Sequence, residues 1–456
     1  MSFFKDDNQK IKLILLHILI GLVVFVIKPT SVLINLLMIA FFVLFVLKTK
    51  DKTYAILISC AYIAMSDVFF RMTKGLVFYE LHKYLLIVFV LIGFAFQFNK
   101  TRGKIYLLYI GLLLIGIIFT NYDYEDEVRK MIAFNLGGPV SLGIVALYFY
   151  KKKIPLSKLV NVLFYGLLPV ISLTVYLFLF TPSVKDVVTG THSNFTTSGG
   201  FGPNQVATIL GSGMFILISR LVLSKPRNLL FFIELFLLIL VTYRGLVTFS
   251  RGGIITGIIA GVFFILFTYN KAKLSMRVKL IKAMFVFVFL GVVIWGYALV
   301  TTSGLIENRY ANKNAIGQEK KDVSTGRSTL IQTELEAFLE HPFVGIGVGK
   351  NKQYRYENTG IEAASHNEIS RLLAEHGTLG IIAFFIIFFT PLIFRLENKN
   401  NIYFYSFFLL WFLTINHSSM RIAFPSFIYG LALLDVTYET KNKKVAKSQI
   451  QSKHSS

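Results

Sequence analysis

One cysteine and 24 acidic residues are all that this chain of 456 has of either type. A lone thiol, Cys60, forms no disulfide within the chain and supplies no cysteine-based metal site. It lies inside an apolar run and reads as a packing or lipid-facing residue. The acidic residues are outnumbered by 47 lysines and arginines, for a formal net charge of +23. That excess invites a nucleic-acid reading, but most of the basic residues sit in short clusters between apolar runs, where the positive-inside rule places them. No internal repeat, low-complexity tract or alternating apolar–polar pattern is visible.

What the chain has is apolar surface: 55% of its residues are hydrophobic and 45 are phenylalanine. Continuous runs of about 17–22 apolar residues recur, each long enough to cross a ~30 Å hydrocarbon core. Backbone polar groups in lipid are satisfied only by helices or closed barrels, and unbroken runs favour helices. The chain therefore reads as all-α: a polytopic membrane bundle of about 14 (12–14) helices with one long, helical extracytoplasmic loop. The helices fall roughly at 11–27, 31–47, 53–70, 80–98, 104–120, 131–150, 158–181, 203–223, 228–247, 253–270, 280–302, 377–395, 401–416 and 424–439. The first run lacks a small-residue cleavage site and reads as a retained helix. The expected units are a bundle over 1–302, a loop domain over 303–376, helices over 377–440 and a basic tail over 441–456. Lys48, Lys50 and Lys52, Lys100 to Lys104, Lys151–Lys153, Lys225 and Arg227, the 271–282 cluster and the tail all fall on one side. That side reads as cytoplasmic with both termini, and the long loop as outside.

Several polar segments share the loop's side. Asp123, Glu125, Asp126 and Glu127 offer either a divalent-cation site or a solvated loop. Asn204 and Gln205 follow Pro203 at a helix start and face the mouth of the bundle. In Thr248-Phe-Ser-Arg-Gly-Gly253, an arginine at a membrane edge needs a partner, and the glycines allow close backbone approach. Ser250, Arg251 and the helix start form a candidate anion site, or Arg251 snorkels to the interface. His417 and Arg421 either line a site or cap a hairpin.

Within the loop, residues 303–323, which include Arg309 and Lys320, have no assignment. From Arg327 onward Leu330, Leu335, Phe338 and Leu339 recur at helical spacing, predicting an amphipathic helix that ends near His341 and Pro342. Gly345, Gly347 and Gly349 read as a flexible turn, not as a nucleotide loop, since no strand precedes them. Ser365 and Glu368 have capping-box spacing, which makes Ser365 the expected N-cap and puts His366 and Asn367 in the first turn. There the helix dipole disfavours the imidazolium, leaving a neutral base.

Together, TFSRGG (248–253), GRSTLIQTELEAFLEHPFVGIGVG (326–349) and SHNEISRLLAEHGTLG (365–380) resemble the bacterial O-antigen ligase and O-antigen polymerase superfamily. The resemblance implies an inner-membrane glycosyltransferase of surface-polysaccharide or lipopolysaccharide assembly. Its donor is a glycan on a polyprenyl (undecaprenyl) diphosphate, and its acceptor another glycan or lipid A core. It implies an inverting reaction without metal or cofactor, in the bilayer, alongside other polysaccharide-assembly membrane proteins and without nucleic acid. Carried over by motif, His366, Arg251 and Arg327 are the catalytic candidates, with the two arginines on the diphosphate. Asn204, Ser250, Asn367, Arg421 and His417 are the substrate-binding candidates. The sequence departs from the family pattern in lacking an aromatic residue after Gly326-Arg327. The alternatives are protein O-oligosaccharyltransfer and lipid-linked oligosaccharide transport. Against transport, the polar residues gather on one face and no repeated half is visible.

Overall fold

The computed structural model describes residues 7–97, 102–224, 228–320 and 326–438. The basic residues Lys100, Lys225 and Arg227 and the tail over 441–456 lie outside them. Among the described residues the protein is all-α but for two three-residue strands. Fourteen apolar helices occur in the expected order: α1 (Asp7–Val26), α2 (Thr30–Lys48), α3 (Lys52–Met72), α4 (Leu81–Gln97), α5 (Ile105–Ile118), α6 (Val128–Phe149), α7 (Leu156–Phe180), α8 (Pro203–Leu223), α9 (Leu229–Leu246), α10 (Arg251–Lys271), α11 (Leu274–Thr301), α15 (Glu368–Glu397), α16 (Phe404–His417) and α17 (Phe424–Ala432). The long loop adds α12 (Leu305–Tyr310), α13 (Arg327–Glu340) and α14 (Asn351–Thr359). Ten helices are long and apolar enough to cross a membrane, and α4 and α5 are shorter apolar helices. The protein is a polytopic helical membrane protein.

The expected helix over 424–439 stops at Ala432. Beyond it the chain is extended, and β2 (Asp435–Thr437) pairs in parallel with β1 (Lys153–Pro155), Lys153 opposite Asp435. A short apolar run is ambiguous between helix and strand, and Val436 and Thr437 favour the pleated form. This ladder ties the ends of α6 and α17 on the face opposite the loop. Lys158–Asp51 and Lys151–Glu397 ion pairs stitch the same face. Cys60 is buried in the bundle and does not face lipid.

Small residues draw α8 and α10 together. A side chain at Gly253 would collide with the backbone of Ala207, and one at Gly211 with the carbonyl of Gly253. Van der Waals packing of this kind is a main source of helix association in lipid. It brings Asn204, at the start of α8, over Ser250, at the start of α10.

The loop is fixed to the bundle by buried charge. α13 is a helix as expected, but it buries Leu330, Thr333, Glu334 and Ala337 and leaves Leu335 and Leu339 exposed. The reason is an ion pair that apolar periodicity does not register. Arg355 of α14 reaches Glu334 at 2.6 Å and Thr333 at 3.1 Å, and Ser370 of α15 donates to Glu334 at 2.5 Å. The glycine turn is packed, not slack. Gly345 and Gly347 have positive φ, Ile346 N donates to Ala374 O and Val348 N to Thr120 Oγ1, both at 2.8 Å. α15 bends at Gly377 (φ 58°, ψ −137°), where its loop part turns into its apolar part.

Removing one partner of a buried pair leaves an uncompensated charge and costs about 3–5 kcal/mol. Arg355→Met is therefore expected to lower the thermal unfolding midpoint of the purified protein markedly. The double variant Arg355→Met/Glu334→Leu is expected to recover most of the loss, and differential scanning calorimetry in detergent measures both.

Candidate functional site

The site lies where the loop meets the starts of α8, α10 and α15. On the bundle side, Phe249 has φ 59°, Ser250 is the N-cap of α10 and Arg251 its first residue. The Ser250 hydroxyl donates to Asn204 Oδ1 at 2.7 Å, so it is spent inside the protein and not free for an anion. Arg251 is half-buried and makes no hydrogen bond or ion pair with any described residue. No described protein group supplies the partner that an arginine at such an edge needs.

The loop contributes three more cations. Gly326, with φ 84°, precedes Arg327 at the start of α13. Arg327 is half-buried and likewise has no hydrogen bond or ion pair among the described residues. Burial and then the neighbouring Arg251 pull its pKa below the usual arginine value. Arg309, in the stretch left without assignment, donates Nε to Phe249 O at 2.9 Å and Nη2 to Ser193 Oγ at 3.3 Å. Burial, then Arg251 and Arg327, bring it down to about 10. Burial and then the neighbouring Arg309 and Arg251 lower the pKa of Lys320. None of these four cations is ion-paired to a described carboxylate. A positive field that no described carboxylate offsets is a candidate anion site. The sequence signal for Arg309 and Lys320 was only their place in a polar stretch.

His366 faces this cluster. It precedes α15 and is not inside it. The N-cap is Asn367, whose Oδ1 accepts from Ile369 N at 2.8 Å and Ser370 N at 3.2 Å. Ser365 instead folds its hydroxyl onto the Asn367 carbonyl at 2.8 Å. The expected helix-dipole effect on His366 therefore gives way to a different cause. Burial is the largest, followed by Arg421 and Arg327, and together they lower its pKa to about 4. The imidazole is neutral at pH 7, and its ring nitrogens make no hydrogen bond with a described residue.

The turn between α16 and α17 holds His366 in place. Arg421 donates to Ser365 O, Met420 N to Glu368 Oε2 at 3.3 Å, and Ala423 N to the buried Asp67 Oδ2 at 2.8 Å. Arg421 also lies 5.7 Å from the Phe134 ring centroid, and burial lowers its pKa. Asn367 donates Nδ2 to Asn416 Oδ1 at 3.1 Å. His417 has both ring nitrogens engaged, with Leu413 O at 2.7 Å and Thr208 Oγ1 at 3.1 Å, and its ring packs under Gly252.

Other candidates lie elsewhere. Asp123 and Asp126 both bind Lys350 Nζ, at 2.8 and 2.7 Å, so the acidic loop carries its own cation. Glu127 pairs with Lys130. His341 is the C-cap of α13, and His376 is buried against Gly116. Among the described residues no group of three or more His, Cys, Asp or Glu side chains is arranged to hold a metal ion.

Fold and site thus define a polytopic membrane protein with a cluster of cations that no described carboxylate pairs, and a neutral histidine near Arg327, at one end of its bundle. Residues 235–385 match the family model of the O-antigen ligases, which supports the O-antigen ligase and polymerase superfamily for this chain. The matched segment, about a third of the chain, contains Arg251, Arg309, Arg327 and His366 but not Asn204, His417 or Arg421. Among curated proteins none matches.

Two guanidiniums unpaired among the described residues favour a compact polyanion. Inorganic pyrophosphate is expected to raise the thermal midpoint of the purified protein, by about 1.4 kcal/mol of stability at ten times its Kd. Arg251→Gln and Arg327→Gln are each expected to weaken its binding by about tenfold or more, the loss of one charge-assisted hydrogen bond. Isothermal titration calorimetry at fixed ionic strength measures this.

Proposed function

We propose that this protein is a glycosyltransferase that moves a glycan from a polyprenyl diphosphate carrier to a hydroxyl acceptor at the extracytoplasmic face, as a ligase or polymerase of surface polysaccharide. The observation that carries the reading is the juxtaposition of Arg251 and Arg327, unpaired among the described residues, with a neutral His366 whose ring nitrogens bond no described residue. The family match supports the same class of activity. The loop face is taken as extracytoplasmic because the basic connections 48–52, 151–153 and 271–282 lie on the opposite face.

In this reading the arginines hold the diphosphate and offset the charge that develops on it as the glycosidic bond breaks, in a site where water is partly excluded. His366 takes the proton from the acceptor hydroxyl. The acceptor oxygen attacks the anomeric carbon, the carbon–oxygen bond to the diphosphate breaks, and the carrier leaves with the electron pair. A single displacement of this kind inverts the anomeric centre. The carrier's apolar tail has a place as well. Below Arg251 a cavity of about 310 Å³ opens between α8, α9, α10 and α11, lined by Met214, Ile258, Val262, Phe287 and Ile294.

The test is reconstituted protein given a polyprenyl diphosphate-linked glycan, with and without lipid A core. A ladder from donor alone marks a polymerase, one transfer to core marks a ligase, and no turnover rejects the reading. His366→Ala is expected to abolish product while the protein still inserts and purifies as a single species. Arg251→Lys is expected to lose at least about tenfold in kcat, because lysine lacks the fork that grips two phosphate oxygens.

The pH dependence follows from the depressed pKa of His366. The neutral form is the active one, so the rate falls only as pH drops through the pKa of the free enzyme. kcat/KM is expected to stay flat from pH 8 to below pH 6 and to decline on approach to about 4. An acid limb near the ordinary histidine value of about 6.5 would remove His366 as the base.

A further inference from the structure

Arg309 stands apart from the other cations of the cleft, because two of its donors are already committed to the protein. Its Nε donates to the carbonyl of Phe249 at 2.9 Å, and Nη2 to Ser193 Oγ at 3.3 Å. The Ser193 hydroxyl itself reaches the same carbonyl at 3.5 Å. Phe249 has φ 59°, in the left-handed region that a bulky side chain seldom adopts, and such strain persists only where surrounding structure holds it. Its ring is fully buried with Tyr243, Leu246, Val247 and Ile254, and its carbonyl is held by Arg309. The next two residues are the N-cap Ser250 and the first helical residue, Arg251. The conformation of Phe249 therefore decides where the Arg251 side chain emerges.

We infer that Arg309 is a positioning residue for Arg251: by holding the carbonyl of the left-handed Phe249, it fixes the Ser250–Arg251 turn so that Arg251 faces the leaving diphosphate. The inference rests on the donor reading above. Nothing in the motifs singles out Arg309, and its burial at 7% exposure with Nε and Nη2 on protein acceptors makes it a support and not a ligand. Its positive charge adds to the field that Arg251 and Arg327 create.

The experiment compares full-length, reconstituted wild type with Arg309→Gln and Arg309→Lys, reading kcat and KM for the donor separately, and pyrophosphate binding alongside. Misplacement of a catalytic group by about 1 Å costs on the order of 100-fold. Arg309→Gln is accordingly expected to lower kcat by about 10- to 100-fold. KM for the donor and pyrophosphate affinity are expected to change by less than about threefold, because binding does not demand the transition-state geometry. Arg309→Lys, which keeps one donor for the Phe249 carbonyl, is expected to recover to within about fivefold of wild type. A tenfold rise in KM at unchanged kcat would make Arg309 a ligand of the donor and overturn the inference. Wild-type kinetics in Arg309→Gln overturn it too, as does failure of both variants to fold, which would make Arg309 a folding residue. An inactive wild type rejects the donor reading itself, whereas an active wild type with an unaffected Gln variant rejects only the role of Arg309.

Discussion

The structure is organised around a repulsion. Arg251, Arg309 and Arg327 lie near enough that Arg251 lowers the pKa of the other two, and none is paired with a described carboxylate. Like charges in a partly desolvated cleft oppose folding unless something else anchors the elements that carry them. The carboxylates of the loop face do that work on other cations. Glu334 binds Arg355, Glu368 and Glu375 bind Arg371, and Asp123 and Asp126 bind Lys350. The Glu334–Arg355 pair joins α13 to α14 and the Lys350 pairs join the loop to the α5–α6 connection, whereas Arg371 and its two partners pair within α15. The neutralised cations fasten the loop, and Arg251 and Arg327 stand without a described carboxylate partner. Under the proposed reading a ligand with several negative charges completes the arrangement.

The same division explains which parts of the molecule were legible in the sequence. Run length alone gives the order of the apolar helices, because a bilayer of fixed thickness imposes it. Gly253 is legible as a close-approach residue, and Arg251, Arg327 and His366 stand out as polar groups beside apolar runs. What stays hidden is set by contacts between distant segments. The Ser365 and Asn367 side chains are both good caps two residues apart, and the choice of Asn367 depends on how Arg421, from the α16–α17 turn, draws in the Ser365 carbonyl. The buried face of α13 is turned by the Glu334–Arg355 pair, which no apolar period encodes. The end of α17 depends on a strand partner almost 300 residues away in sequence. Arg309 is invisible as a support because its acceptor is a backbone carbonyl, and a carbonyl leaves no trace in residue type.

The placement of His366 shows how the distant pieces converge. Asp67, buried in α3, accepts from the backbone of Ala423, while Glu368 accepts from Met420 and Arg421 grips Ser365. The short turn over 418–423 is thereby clamped between α3 and the start of α15, and His366 sits next to the clamp. Positive charge from Arg421, Arg327 and Arg355 surrounds it, and its ring nitrogens bond no described residue. Geometry and charge state thus have the same source.

That source also bears on catalysis under the proposed reading. Burial and the surrounding guanidiniums hold the imidazole far below its ordinary pKa, which makes it a weak base. A bound diphosphate adds negative charge to the same cleft and offsets the arginines. Opposite charge nearby favours the imidazolium, so the affinity of His366 for a proton rises when the donor is in place. The base then gains strength in the presence of the leaving group it must act with. The unpaired arginines consequently serve twice, once on the diphosphate and once on the histidine. For that second role the absence of a described carboxylate partner matters as much as their charge.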